Sequence, residues 1–131
     1  MIQRIQTLYL LAASFVSALA AFNFPMYSVG ETSFDSQSTG LAFAGFGFAM
    51  AAFSGAILFF NNRKVQLFLV RLGMFDNLLV LGALIMAIQG IEGAQASWGV
   101  VAPFLNIVLA FFASKGIRAD EKVVKSYDRL R

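Results

Sequence analysis

The chain has 131 residues, 59% of them hydrophobic and 13% charged, with a formal net charge of +3 and a mean hydropathy of +0.74. That describes one domain at most, and one more apolar than an ordinary soluble domain, which runs near half apolar. With no Cys and no His, disulfides, thiol catalysis, thiolate or imidazole metal sites and the usual neutral-pH proton shuttle are excluded, so no catalytic residue, metal ligand or cofactor is expected.

A hydrocarbon layer about 30 Å thick takes roughly twenty helical residues at about 1.5 Å each. The first apolar run covers residues 5–24 and stops at Pro25, which cannot continue a hydrogen-bond ladder. Arg4, the apolar run and Ala18-Leu19-Ala20 resemble a secretory signal with its cleavage site. The run is long for a signal and three more follow, so an uncleaved first span is expected. Residues 23–40 read as a polar loop with Glu31, Asp35 and no base. The second span, 41–60, is uncharged and rich in Phe, Ala and Gly, and Asn61-Asn62-Arg63-Lys64 makes a basic turn. The third span covers 67–88. A second polar loop, 89–97, holds Glu92 and again no base, and the fourth span, 98–113, is short with Pro103 in its second turn. Residues 115–131 form a tail with six bases and three acids. Its Val123, Tyr127 and Leu130 fall at i, i+4 and i+7, the spacing of an amphipathic helix.

Charge segregation gives the orientation. Arg4, Arg63, Lys64, Lys115, Arg118, Lys122, Lys125, Arg129 and Arg131 fall on one side, with Arg71 near it, while the opposite loops carry acids alone. Bases are retained in the cytoplasm, so both termini are placed inside. Tyr27 and Trp98 sit at the outer ends of the first and fourth spans, where amphipathic rings favour the interface.

Three features are candidates for function. Gly47, Ala51 and Gly55 repeat every four residues, a small-residue stripe that lets another backbone approach closely. Packing inside the bundle is the plain reading, and a dimer or partner surface is the sharper one. Gly45-Phe46-Gly47 spells GxG, but inside an apolar helix it is no phosphate loop. Asp76, followed by Asn77, is the one acid inside a span. It lies roughly 14 Å deep if the hydrocarbon begins at Leu67 and about 6 Å if it begins at Leu72. Ser54, Asn106 and Ser14 fall at similar depth, which predicts a polar layer centred on Asp76 and closed by Asn77, Asn106, Ser54 and Ser14. A hydrogen-bond cluster that fixes helix register is the plain reading; a proton or cation relay and a subunit interface are the alternatives. The third feature is the basic tail beside a span, which suits anionic lipid or a docked partner; Arg63, Lys64, Lys115, Arg118, Lys122, Lys125, Arg129 and Arg131 would make those contacts. Nucleic acid is disfavoured, because Tyr127 is the lone aromatic there to stack on a base. Glu31, Asp35 and Glu92 lack ligand spacing, so no metal is assigned to them.

The opening Met-Ile-Gln-Arg-Ile-Gln-Thr-Leu-Tyr-Leu-Leu and the closing Ile117-Arg118-Ala119-Asp120-Glu121-Lys122 with Ser126-Tyr127-Asp128-Arg129-Leu130-Arg131 resemble the domain of unknown function 4293 family, small four-span inner-membrane proteins of Bacteroidota. The resemblance covers the whole chain. It implies a bacterial cytoplasmic-membrane protein and supplies no catalytic residue. It also draws attention to the ends, where Gln3, Arg4 and Gln6 would meet Asp120, Glu121 and Asp128 in a cytoplasmic cap.

The expected fold is therefore an all-α, four-transmembrane-helix bundle with both ends in the cytoplasm and a basic C-terminal helix. The expected function is a non-enzymatic accessory or scaffold subunit of an inner-membrane assembly. Its partners would be anionic lipid and a membrane protein or further copies of the chain. The alternative is a small ion or proton-coupled transporter or channel that uses the layer around Asp76.

Overall fold

The computed structural model describes residues 2–129, with the side chains of residues 2–4 and 128 left aside. Four helices are long and apolar enough to cross a membrane. They are α1 (Ile2–Phe22), α2 (Gly40–Leu58), α3 (Arg63–Gln89) and α4 (Val101–Arg129). α1 packs against α2 and α4, and α3 against the same two, so the helices form a ring in chain order. Short connections make such sequential neighbours antiparallel. The turn before α3 is only Phe59 to Asn62, and Asn62 caps the helix by accepting from the Val65 N–H at 3.4 Å. Pro103 is the third residue of α4, not in its second turn. Its missing N–H is therefore one of those with no partner inside the helix anyway.

Two expectations change. The loops at the acidic end are strands: β1 (Pro25–Val29), β2 (Thr32–Asp35) and β3 (Ala94–Ala96), in the order β2-β1-β3 and antiparallel throughout. The hairpin turns at Gly30-Glu31, where Gly30 has φ +62°, and β3 closes the other edge of β1. The backbone there has no helix to satisfy it, and the ladder supplies the hydrogen bonds. The helical bundle is thus capped at one end by a small three-stranded sheet where polar loops were expected. Tyr27, expected at the lipid interface, lies in β1 at 5% exposure, stacked on Phe34 at 5.1 Å. Trp98 is 61% exposed and rests on Phe24.

The second change concerns the tail. α4 runs unbroken past residue 113, so span and tail are one helix of 29 residues, roughly 43 Å long. Ala110, Ala113 and Ile117 continue a single inward stripe, and Ile117 is fully buried in the core.

The interior holds two apolar clusters. One, toward the basic end, joins Leu10, Ala13, Phe53, Val70, Ala110 and Ile117; the other, beneath the sheet, joins Ala20, Met26, Phe46, Val80, Leu84 and Ala102. Glycines bring the helices close enough to build them. A Cβ on Gly45 would run into Val80 Cγ2, and one on Gly73 would lie 2.6 Å from the Phe53 ring. Outside, the bundle is as apolar as within: Leu8, Phe15, Phe75, Met86 and Phe111 are more than half exposed. So much exposed apolar surface on every helix marks a protein that lipid covers.

Candidate functional site

The two apolar clusters are separated by a polar layer, and each of its members comes from a different helix. Ser17 on α1, Asn77 on α3 and Asn106 on α4 are fully buried. Asn106 Nδ2 donates to Ser17 Oγ at 2.9 Å and to Asn77 Oδ1 at 3.1 Å. Asn77 Nδ2 donates to the Gly73 carbonyl at 2.7 Å, and Ser17 Oγ donates to the Ala13 carbonyl at 2.8 Å. One amide thereby ties three helices together, and the two flanking donors are turned back onto their own helices. In an apolar surround such bonds fix register, since slipping a helix by one residue would strand them.

The predicted layer is divided. Asn77 and Asn106 meet as expected, but Ser17 completes their network. Ser14 and Ser54 form a separate pair, 2.7 Å apart, at the junction of α1 and α2, with Ser14 also near the Met50 carbonyl at 3.4 Å. Ser17 was legible as part of the inward row Leu10, Ala13, Ser17, Ala20, spaced three and four apart; depth alone pointed to Ser14 instead.

Asp76 is not the centre of the layer. One residue from Asn77, and so about 100° around α3 from it, it leaves the interior and lines a groove between α2 and α3 on the outside of the bundle. That groove encloses about 710 Å³ and is walled by Leu41, Ala44, Gly45, Phe48, Leu79 and Ala83, among others. The Asp76 Oδ1 atom lies 3.6 Å from the place a Gly45 Cβ would occupy, and Oδ2 is buried without a hydrogen-bond partner among the described residues. Asp76 is thirteen positions from each end of α3, about 20 Å along the helix.

The small-residue stripe also moves outside. Gly47 and Ala51 are exposed and Gly55 is half-buried, where an added Cβ would lie 3.6 Å from Leu69. The interior face of α2 is built from Gly45, Ala49, Ala52 and Ala56 instead. A four-residue repeat identifies a face of a helix without saying which way it points.

At the basic end, Arg63 at the start of α3 donates through Nε and Nη2 to Asp120 Oδ2, at 3.0 and 2.7 Å. Lys125 pairs with Glu121 at 3.4 Å one turn on. Lys64, Lys115, Arg118, Lys122 and Arg129 are exposed, and Arg131 lies outside the described residues. The expected cap between the chain's ends is only partly testable, because the side chains of Gln3, Arg4 and Asp128 also fall outside them. Asp120 faces Arg63 rather than the amino-terminal turn, and Gln6 is buried against Gly116. Helix α4 is therefore held by α1 and α3 well past its last membrane-like residue.

Whole-chain likeness decides the family. The model of a domain of unknown function, DUF4293, matches residues 2–130. The chain belongs to the DUF4293 family. No curated protein and no solved structure matches it. For this DUF4293 protein the arrangement itself must therefore indicate the chemistry: an uncharged, hydrogen-bonded layer within, and a carboxyl group at mid-helix opening outward.

Proposed function

We propose that the chain is a multi-pass protein of the bacterial cytoplasmic (inner) membrane, with both ends on the cytoplasmic side, and a non-enzymatic accessory or scaffold subunit of a membrane assembly. One observation carries this reading. Asn77 and Asn106 donate their amide N–H groups within the bundle, while Asp76 opens onto an external groove halfway along α3. An ionisable group at membrane depth ordinarily faces protein or water and has a partner. Here the missing partner belongs on the outside, where another subunit would sit.

The distribution of charge supports the orientation. Glu31, Asp35 and Glu92 lie at the sheet end, and the bases gather at the other. The exposed Lys64, Lys115, Arg118 and Lys122 suit anionic headgroups, at about 1 kcal/mol per base near the surface. Beyond Asp120 the last turns of α4 expose Val123 and Tyr127 beside Lys122, a handle for a cytoplasmic partner.

The test is mild-detergent affinity purification of the tagged chain from its native membrane, with quantitative mass spectrometry, against a chain ending at Glu121. That end point keeps Ile117 in the core and Asp120 on Arg63. A stoichiometric partner that disappears on truncation is the expected result. Recovery of the chain as a monomer, with neither another protein nor a second copy in either form, contradicts the reading.

A second reading, ion or proton-coupled transport through the Asp76 region, draws on two buried acceptors that have no partner among the described residues, Asp76 Oδ2 and Asn106 Oδ1. Flux in liposomes that Asp76→Asn abolishes, with the fold intact, would favour it.

A further inference from the structure

Arg71 and Asp76 are the two charged residues within the four apolar segments read from the sequence, and both lie on α3. Neither forms an ion pair among the described residues. Their spacing explains this. Five residues turn a helix by about 140° beyond a full turn and raise it about 7.5 Å, so the two side chains flank opposite sides of one outward face. Asp76 lies on the side of α2, in the groove, and Arg71 is exposed on the other flank. Within one chain they cannot meet.

The face between them has a regular composition. Phe68, Leu72, Phe75, Leu79, Gly82 and Met86 follow one another at alternating steps of four and three, the a and d places of a heptad. All six are exposed or half-buried. In that register Arg71 is a g position and Asp76 the e position of the next heptad. When two parallel helices pack along such a row and are related by a twofold axis, each g side chain flanks the partner's e five residues on, and these flanking pairs set partner and orientation. Apolar residues on an outward face carry no such information in lipid, where the tails are as apolar as leucine. The two charges, at this offset and on these flanks, do.

We infer that a second copy of this chain covers the groove, with α3 against α3 about an axis normal to the membrane, so that Arg71 of each copy pairs with Asp76 of the other. The depth of Asp76 favours a protein occupant over a lipid headgroup, which stays at the interface. Ala44 and Gly47, exposed on α2 beside the groove, let the second α3 come close. The pairing gives the unpartnered carboxylate a cation and keeps both charges out of lipid. It rests on the subunit reading and names one surface of that subunit.

The chain has no native cysteine, so single replacements report without background. Leu79→Cys, at an a place, should give a disulfide-linked dimer in native membranes under mild oxidation. Phe15→Cys on α1 and Val108→Cys on α4, both exposed, should not. In the Leu79→Cys chain, Arg71→Asp or Asp76→Arg alone should lower the dimer yield roughly tenfold, as expected when one member of a desolvated pair is reversed. The double exchange should restore it, which separates lost pairing from lost folding. A dimer indifferent to the charges would overturn the Arg71–Asp76 pairing. An adduct to a different protein, or no adduct at position 79 while a partner still co-purifies, would overturn the second copy as occupant and leave the subunit reading standing. A chain that both purifies alone and fails to crosslink would remove both.

Discussion

Gly45 and Gly47 stand two residues apart on α2 and face opposite ways. A Cβ at Gly45 meets Val80, whereas one at Gly47 meets nothing within 4 Å. Gly45→Ala should therefore destabilise the bundle by about 1–3 kcal/mol, the usual cost of overfilling a packed site. Gly47→Ala should be neutral, or stabilising by up to about 1 kcal/mol through helix propensity. Reversible unfolding of both variants in mixed detergent micelles would measure the difference. The contrast shows where reading residues from sequence stops. On a helix that is apolar all round, hydropathy cannot separate the face against protein from the face against lipid, and so Gly47, Ala51 and Gly55 looked equivalent to the inward Gly45, Ala49 and Ala52. Asp76 and Asn77 posed the same difficulty. Their depth was legible, but a step of about 100° put one in the groove and the other in the core.

The elements were unequally legible. The four helices follow from apolar length, and their boundaries move by only a few residues, apart from α4. The strands were hidden because each is three to five residues long. The Gly30-Glu31 pair, in the Gly-X order of two-residue hairpin loops, was their one local signal. The continuity of α4 was hidden for another reason. Polar residues after 114 look like the end of a span, yet Ile117 remains buried and Asp120 holds Arg63. That ion pair is partly exposed at both ends, 27% and 21%, so its worth is modest, about 0–1 kcal/mol. Asp120→Asn should thus leave the bundle folded while hydrogen exchange accelerates over residues 117–125. Exchanging the two charges, Arg63→Asp with Asp120→Arg, should restore protection. Unchanged exchange in the single variant would mean that packing of Ile117 alone fixes this part of α4.

At the scale of the molecule, the two ends differ in kind: a compact sheet with acids at one, and protruding helix turns with bases at the other. Under the proposal this asymmetry orients the chain, and the cytoplasmic handle depends on it, whereas the parallel α3 pairing requires only that two copies share one orientation. The four-helix architecture was legible because the length of apolar runs is a property of the whole chain. The interior wiring depends on single rotations and was not. Orientation is also what one experiment decides most directly. Ser33→Cys in β2 and Ser126→Cys near the end of α4 are both exposed, conservative replacements in a chain without cysteine. Treated as spheroplasts with a membrane-impermeant maleimide, the Ser33→Cys protein should label at once and the Ser126→Cys protein only after lysis. Labelling of Ser126→Cys in intact spheroplasts, or protection of Ser33→Cys, would contradict the account at its base.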